Sequence, residues 1–289
     1  FLKKHLVTKS LNTKRVIMEL NDGHLDELEQ RGYIIVPGFR HGEELKELQA
    51  AQRRALPSWE EVKDDPPSGR ATLSEFPPAE IALLRGTVHH AAWDFARKWF
   101  SSEHIHYRAG CMIARYPGFK GGGTGSDASA LHLDNGNNSL LPPSDSARAF
   151  GQLVFWHHLE EVGEDQAPLR LIAKQHGRDM SKAEPLVCEA GTLCIFTNYT
   201  MHSASDYLRA DGQRYTWGFG LGRADHYWEG FRHYTDKGKN PIFGEFIGTL
   251  TAAEREVFRF PPAGHAYYTP QTLAALEEQY PGWNARNEY

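Results

Sequence analysis

Over the first hundred residues, hydrophobic positions recur mainly at helical spacing. "HLDELEQRGYIIVPGF" (24–39) reads as a short amphipathic helix that stops at Gly32 and leads into a strand over Tyr33–Val36. "HGEELKELQAAQRRAL" (41–56) brings Leu45, Leu48, Ala51 and Leu56 together beneath a charged outer face, as a surface helix would. "PSWEEVKDDPPSGR" is a polar connection. "PAEIALLRGTVHHAAWDFARKWF" (78–100) then has Pro78 near its start and apolar residues at Ile81, Leu84, Val88, Ala92, Phe95 and Trp99, predicting one long helix packed on one face.

From about residue 104 the period changes. "IHYRAGCMIARYP" (105–117), "FGQLVFWHHL" (150–159), "PLRLIA" (168–173), "GTLCIFTN" (191–198) and "RYTWGFGL" (214–221) are short and rich in β-branched or aromatic residues, with turn formers between them. Helices followed by strands, with no helix regularly interposed, favour an antiparallel sandwich or barrel over a doubly wound parallel sheet. The helical signal returns at "LTAAEREVFRF" and at "TPQTLAALEEQY", where Thr269 precedes Pro270 as a cap.

Composition narrows the functional classes. The chain has 289 residues, 40% of them hydrophobic, with a formal net charge of −5. Lys and Arg are dispersed, so no basic stripe points to nucleic acid. No apolar run approaches the ~18 residues of a membrane span. Cys111, Cys188 and Cys194 form no C-x-x-C pair and cannot all pair with one another, which fits a reducing, cytoplasmic setting. The oligomeric state is not legible.

Several motifs fail on context. "GGGTGSD" (121–127) lacks the Gly-Lys-Ser/Thr and the following helix of a phosphate loop, and reads as a surface loop. There is no G-x-S-x-G elbow, and "HHLEE" (157–161) is not H-E-x-x-H. His89 and His90 read as structural or surface residues. "LHLDNGNN" (131–138) is different: a strand would aim His132 and Asp134 at the same face, although such a pair is common by chance.

Two further features raise its weight. His202 emerges at the end of the buried segment "GTLCIFTNYTMHSAS", and Arg214 opens "RYTWGFGLG". Along that strand Arg214, Thr216, Gly218 and Gly220 share a face with a cation, a hydroxyl and empty room, while Tyr215, Trp217, Phe219 and Leu221 form an apolar face. Two histidines and one carboxylate leave three positions open on an iron, the arrangement of non-haem Fe(II) oxygenases. A co-substrate such as 2-oxoglutarate takes two of these, O₂ takes the third, and an arginine fork suits the distal carboxylate.

The residues resemble the phytanoyl-CoA dioxygenase family. "LEQRGYIIVPGF" with "EELKEL" resembles the family's opening, and "ARYPG" before "HLD" its approach to the metal pair. "APLRLIAKQHGR" resembles "NGPL-x-V-x-PGSH", and "EAGTLCIFTNYTMHSAS" resembles "GD-x-x-x-F-x-x-x-x-x-H-x-S". The likeness runs over about 24–222. It implies a mostly β fold with flanking helices, a double-stranded β-helix of jelly-roll or cupin type. Residues 1–103 would support it, 104–222 would form its core, and 223–289 would extend over the site, all as one oxygenase domain.

By position, the resemblance makes His132, Asp134 and His202 the iron ligands and Arg214 the partner of 2-oxoglutarate. Thr216, Gln152 and Ser203 are assigned to the co-substrate side, and Trp156, His158 and Asn135 to the substrate side. The family's Ser two residues and Arg eleven residues after the distal histidine are replaced by Ala204 and Gln213. Ser203 or Ser205 is then the substitute hydroxyl. Arg214, one place late, is chosen over Arg209 because it begins a strand. An aspartate at 134, in place of the small residue of related halogenases, implies oxidation without halide. The implied activity couples decarboxylation of 2-oxoglutarate to succinate and CO₂ with hydroxylation or another oxidation of an unactivated C–H in a small molecule. The alternative is a jelly-roll protein that binds a metal or small molecule without turnover, with a metal-dependent hydrolase third.

Overall fold

In the computed structural model, the residues described are 19–75, 78, 80–122, 131–134, 151–225, 241–252, 255 and 260–289. Helix α1 (Asp22–Arg31) begins at Asn21, whose side chain accepts from the His24 N–H, while the His24 imidazole accepts in return from the Asn21 N–H. It ends at Gly32, whose φ of 83° lies in the left-handed region that a side chain would resist. Strand β1 (Tyr33–Val36) follows, then α2 (Gly42–Ala55), which buries Leu45, Leu48 and Ala51 as their spacing demands.

A short α3 (Trp59–Val62) lies in the polar connection, and strand β2 (Ala71–Glu75) comes directly after it. The long helix expected over 78–100 is instead two, α4 (Ile81–Gly86) and α5 (His90–Phe100). Gly86, Thr87 and Val88 are weak helix formers. A Cβ on Gly86 would lie 2.7 Å from the Trp217 ring and 2.9 Å from Leu48, so only glycine lets the chain pass there. His89 restarts the helix, its Nδ1 accepting from the Ala92 N–H. Ala92, Phe95 and Trp99 are buried as expected, but α4 buries Ala82 and Leu83 in place of Ile81, and Val88 is exposed in the break between the two helices.

The strands form two antiparallel sheets. The larger has six, in the order β1-β7-β4-β9-β3-β2, with β3 (Ile105–Arg115), β4 (Gln152–His158), β7 (Thr192–Thr197) and β9 (Arg214–Arg223) at its centre. The smaller, β6-β5-β8, joins β5 (Arg170–Ile172) to the very short β6 (Glu184–Pro185) and β8 (Met201–Ser203). Alternation divides the large sheet cleanly. Tyr215, Trp217, Phe219, Leu221, Phe155 and Ile195 face outward into one core with the helices. The inward face carries Tyr33, Cys194, Phe196, Val154 and Trp156, which meet Leu171, Leu186 and Leu169 from the region of the small sheet. Each large aliphatic or aromatic side chain so buried contributes roughly 1.5–3 kcal/mol. Two antiparallel sheets face to face, with helices on one outer surface, are the jelly-roll arrangement that the chain pattern favoured.

Towards the C terminus, α6 (Pro241–Thr249), α7 (Pro270–Gln279) and α8 (Ala285–Glu288) enclose a separate apolar cluster containing Ile247, Phe260, Leu276 and Trp283. Arg255 is buried within it, donating to the Ile247 carbonyl at 3.0 Å and lying over the Trp283 ring. Thr269 caps α7, accepting from the Thr272 N–H, with Pro270 at the first helical position. No helix among the described residues is long and apolar enough to cross a membrane.

Candidate active site

His132 and Asp134 come from a segment whose only described residues are 131–134. His202 comes from β8. An isolated antiparallel bridge between the backbones of residues 132 and 202 joins the two segments. The imidazoles consequently stand side by side, their ring centroids 4.3 Å apart. Asp134 Oδ1 lies 3.4 Å from His202 Nε2 and 3.9 Å from His132 Nε2. One donor atom from each of the three residues falls within 4.8 Å of the others, so the group could hold one metal ion. Neighbouring ligands of an ion bound at about 2.1 Å stand about 3 Å apart, so a small contraction suffices.

The donors differ in exposure. His202 is 7% exposed at its side chain, His132 48% and Asp134 25%, so the group is open on one side. His202 Nδ1 donates to the Thr200 carbonyl at 2.8 Å. A carbonyl can only accept, so that contact puts the proton on Nδ1 and leaves Nε2 free to ligate. The Thr200 hydroxyl in turn donates to the Gly32 carbonyl, which locks the support to the start of β1. Burial lowers the His202 pKa, but the Asp134 carboxylate and the Thr200 carbonyl outweigh it and the net shift is upward. Burial raises the Asp134 pKa, and the two histidines more than reverse it. A carboxylate held ionised between two imidazoles is a donor set that a divalent cation would fit, taking the place of the proton on His202.

Arg214 starts β9 on the inward face, 4% exposed. Its Nη1 donates to Thr216 Oγ1, while Nε has no hydrogen-bond partner among the described residues. His158 shares this face, buried and with neither ring nitrogen bonded among the described residues. Burial, then the Arg214 charge, pushes its pKa down to about 3, so it is neutral. Arg209, the other candidate cation, is at the surface paired with Asp165 at 2.9 Å. The room expected beside Gly218 is filled: a Cβ there would lie 2.0 Å from the Trp156 ring, so the indole lies across the glycine.

Gln152 is inward at the far end of the strand pair, in register with Gly222, and is thus remote from Arg214 along β9. Ser203 is buried, but alternation on β8 points it opposite to His202. Ser205 donates to the Pro168 carbonyl at 2.6 Å. Asn135 lies outside the described residues, as does the glycine loop beyond Gly122. The start of that loop is tied down by Asp206, which accepts from the Gly121 N–H and from Lys120, both at 3.0 Å.

Two arginines on β3 were given no role by the sequence, although Arg115 lies within "ARYPG". Arg115 is the register partner of Arg214. Arg108 sits where the β3–β9 register slips, and its side chain runs along Gly220 and Gly222. Such irregularities commonly re-aim a side chain near an active site.

The family model for phytanoyl-CoA dioxygenase matches residues 28–211, a span that contains His132, Asp134 and His202. The chain belongs to the phytanoyl-CoA dioxygenase family. As a family member it is a non-haem iron, 2-oxoglutarate-dependent oxygenase, and the His132, Asp134 and His202 donor group fits an iron ion. Solved structures share the fold at low identity. HygX from Streptomyces hygroscopicus, with nickel and 2-oxoglutarate bound, is 14% identical at a TM-score of 0.53, over 72% of this chain and 89% of its own. EvdO2 from Micromonospora carbonacea var. aurantiaca is 15% identical at 0.56, over 72% and 94%. The epimerase SnoN of nogalamycin biosynthesis is 16% identical at 0.52, over 70% and 82%. No curated protein sequence matches the chain.

Proposed function

We propose that this family member oxidises an unactivated C–H bond of a small-molecule substrate, in the simplest case to an alcohol, while 2-oxoglutarate is converted to succinate and CO₂. The observation that carries the reading is the meeting of His132, Asp134 and His202 at one open-sided point, with His202 on the small sheet packed against Phe196 of the large sheet, whose inward side also bears the buried Arg214. The three donors would hold iron, which when bound supplies the activation of O₂. Asp134 would keep the ion's charge balanced, and the Thr200 carbonyl would hold the His202 ring in its ligating tautomer. Arg214, steadied by Thr216, would take the distal carboxylate of 2-oxoglutarate, with His158 beside it as a neutral wall. Trp156, Gln152 and the exposed side of His132 would face the substrate.

Natural products are the substrate class this reading favours. HygX has been solved with hygromycin B, and SnoK, a carbocyclase, comes from nogalamycin biosynthesis, as does SnoN. Ring formation and epimerisation therefore stand beside hydroxylation as outcomes. Anaerobic Fe(II) and 2-oxoglutarate should give a weak visible charge-transfer band, lost in His132→Ala. Screening pools of polar natural products for stimulated succinate release should identify the substrate. A folded, metal-loaded protein with no band would overturn the reading; a band without succinate in air would mark a binding protein.

A further inference from the structure

Arg115 and Arg214 are direct partners across the β3–β9 ladder, so both side chains stand on the inward face of the sheet. Directly opposed residues of an antiparallel pair have Cβ atoms about 5 Å apart, and like charges so placed destabilise a sheet. Neither arginine makes an ion pair with a carboxylate among the described residues. Arg115 Nε and Nη1 are shut off from solvent without a hydrogen-bond partner there, as is Arg214 Nε. Burial, and then the Arg115 charge, hold the Arg214 pKa well below its usual value; Arg115 is itself lowered to about 10 by burial. The Arg115 guanidinium lies 4.3 Å over the Phe119 ring, which fixes its plane and leaves its edge donors unspent.

Two unneutralised guanidinium groups side by side cost stability unless an anion joins them. We infer that Arg115 is a second arginine for the distal carboxylate of 2-oxoglutarate, so that the co-substrate is held between two guanidinium forks from adjacent strands. The inference rests on the proposed function. It adds a specificity determinant: the site discriminates against 2-oxo acids with no distal carboxylate, and its two cations repel each other until the dicarboxylate arrives.

Direct binding with Zn(II) as a redox-silent metal tests this. Arg115→Met should weaken 2-oxoglutarate about tenfold or more, with Arg115→Lys intermediate. Binding of 2-oxobutanoate, which lacks the distal carboxylate, should stay as in the unsubstituted protein. Without ligand, Arg115→Met should melt no lower than the parent, because a repulsion is relieved, and the rise in melting temperature on adding 2-oxoglutarate should shrink. If Arg115 serves only to pack on Phe119, Arg115→Met and Arg115→Lys will instead bind 2-oxoglutarate as the parent does, and the inference fails. Equal loss of both 2-oxo acids also overturns it. If Arg214→Met abolishes 2-oxoglutarate binding while both Arg115 variants retain it, this inference fails and the proposed function stands. If the unsubstituted zinc protein binds no 2-oxoglutarate, the proposed function fails with it.

Discussion

His132 and His202 hold each other through their backbones: each N–H donates to the other's carbonyl, at 3.0 and 3.1 Å. The bridge does not depend on either side chain, yet it sets the two imidazoles side by side. Placing the donors and binding the ion are therefore separable.

His132→Ala should remove a ligand while keeping the bridge. The expected outcome is loss of the Fe(II)–2-oxoglutarate band, with a change in folding stability within about 1 kcal/mol, as for most partly exposed positions. Anaerobic titration and a denaturant melt of the metal-free protein check the two halves.

Metal uptake should weaken in acid, and early. The His202 pKa is raised in the metal-free protein, so protons compete for Nε2 from above the ordinary histidine range of about 6.5 downward. Without metal, the raised His202 stabilises the fold below its unfolded pKa and that contribution is lost as pH rises through the folded one. The lowered Asp134 stabilises above its unfolded pKa, and its contribution is lost as pH falls through the folded one. Asp134→Asn should move the onset of proton competition to lower pH, read as zinc affinity against pH.

His157 is an outward-facing histidine in the helix-side core, stacked 4.5 Å from Trp217, with neither ring nitrogen bonded among the described residues. Burial, then the Arg40 charge, hold its pKa well below the usual value. Acid should therefore destabilise the fold as pH falls below about 6.5, because the unfolded chain takes a proton that the folded one refuses. His157→Phe should stabilise by about 1 kcal/mol at neutral pH and flatten that acid slope, measured by urea melts at several pH values.

Gly218→Ala would put a methyl where the Trp156 indole lies. The expected cost is about 1–3 kcal/mol of overpacking, together with a change in tryptophan fluorescence and weaker 2-oxoglutarate binding as the ring is pushed into the interior. An unchanged spectrum would show that Trp156 does not rest on this glycine.

Local patterns decided a good deal of this. Alternation along 214–221 separated the two faces of β9, because a strand's side-chain period is an intrinsic backbone property. Helical spacing and Gly32 placed α1, β1 and α2, and Thr269 with Pro270 placed α7, since caps and stops act within a few residues. His132, Asp134, His202 and Arg214 stood out through their order along the chain and the family resemblance, not singly, since a His-x-Asp pair is common by chance and Arg209 competed with Arg214. Other features needed the third dimension. Helix 78–100 is broken by the Trp217 ring and Leu48 above Gly86, neighbours far away in sequence. The three-residue β8 exists only because β5 and residue 132 pair with it. Arg115, given no role within "ARYPG", becomes the neighbour of Arg214 through a strand register no local signal encodes. Short-range rules act on one chain segment, whereas register, close approach and charge pairing arise when segments distant in sequence are brought together.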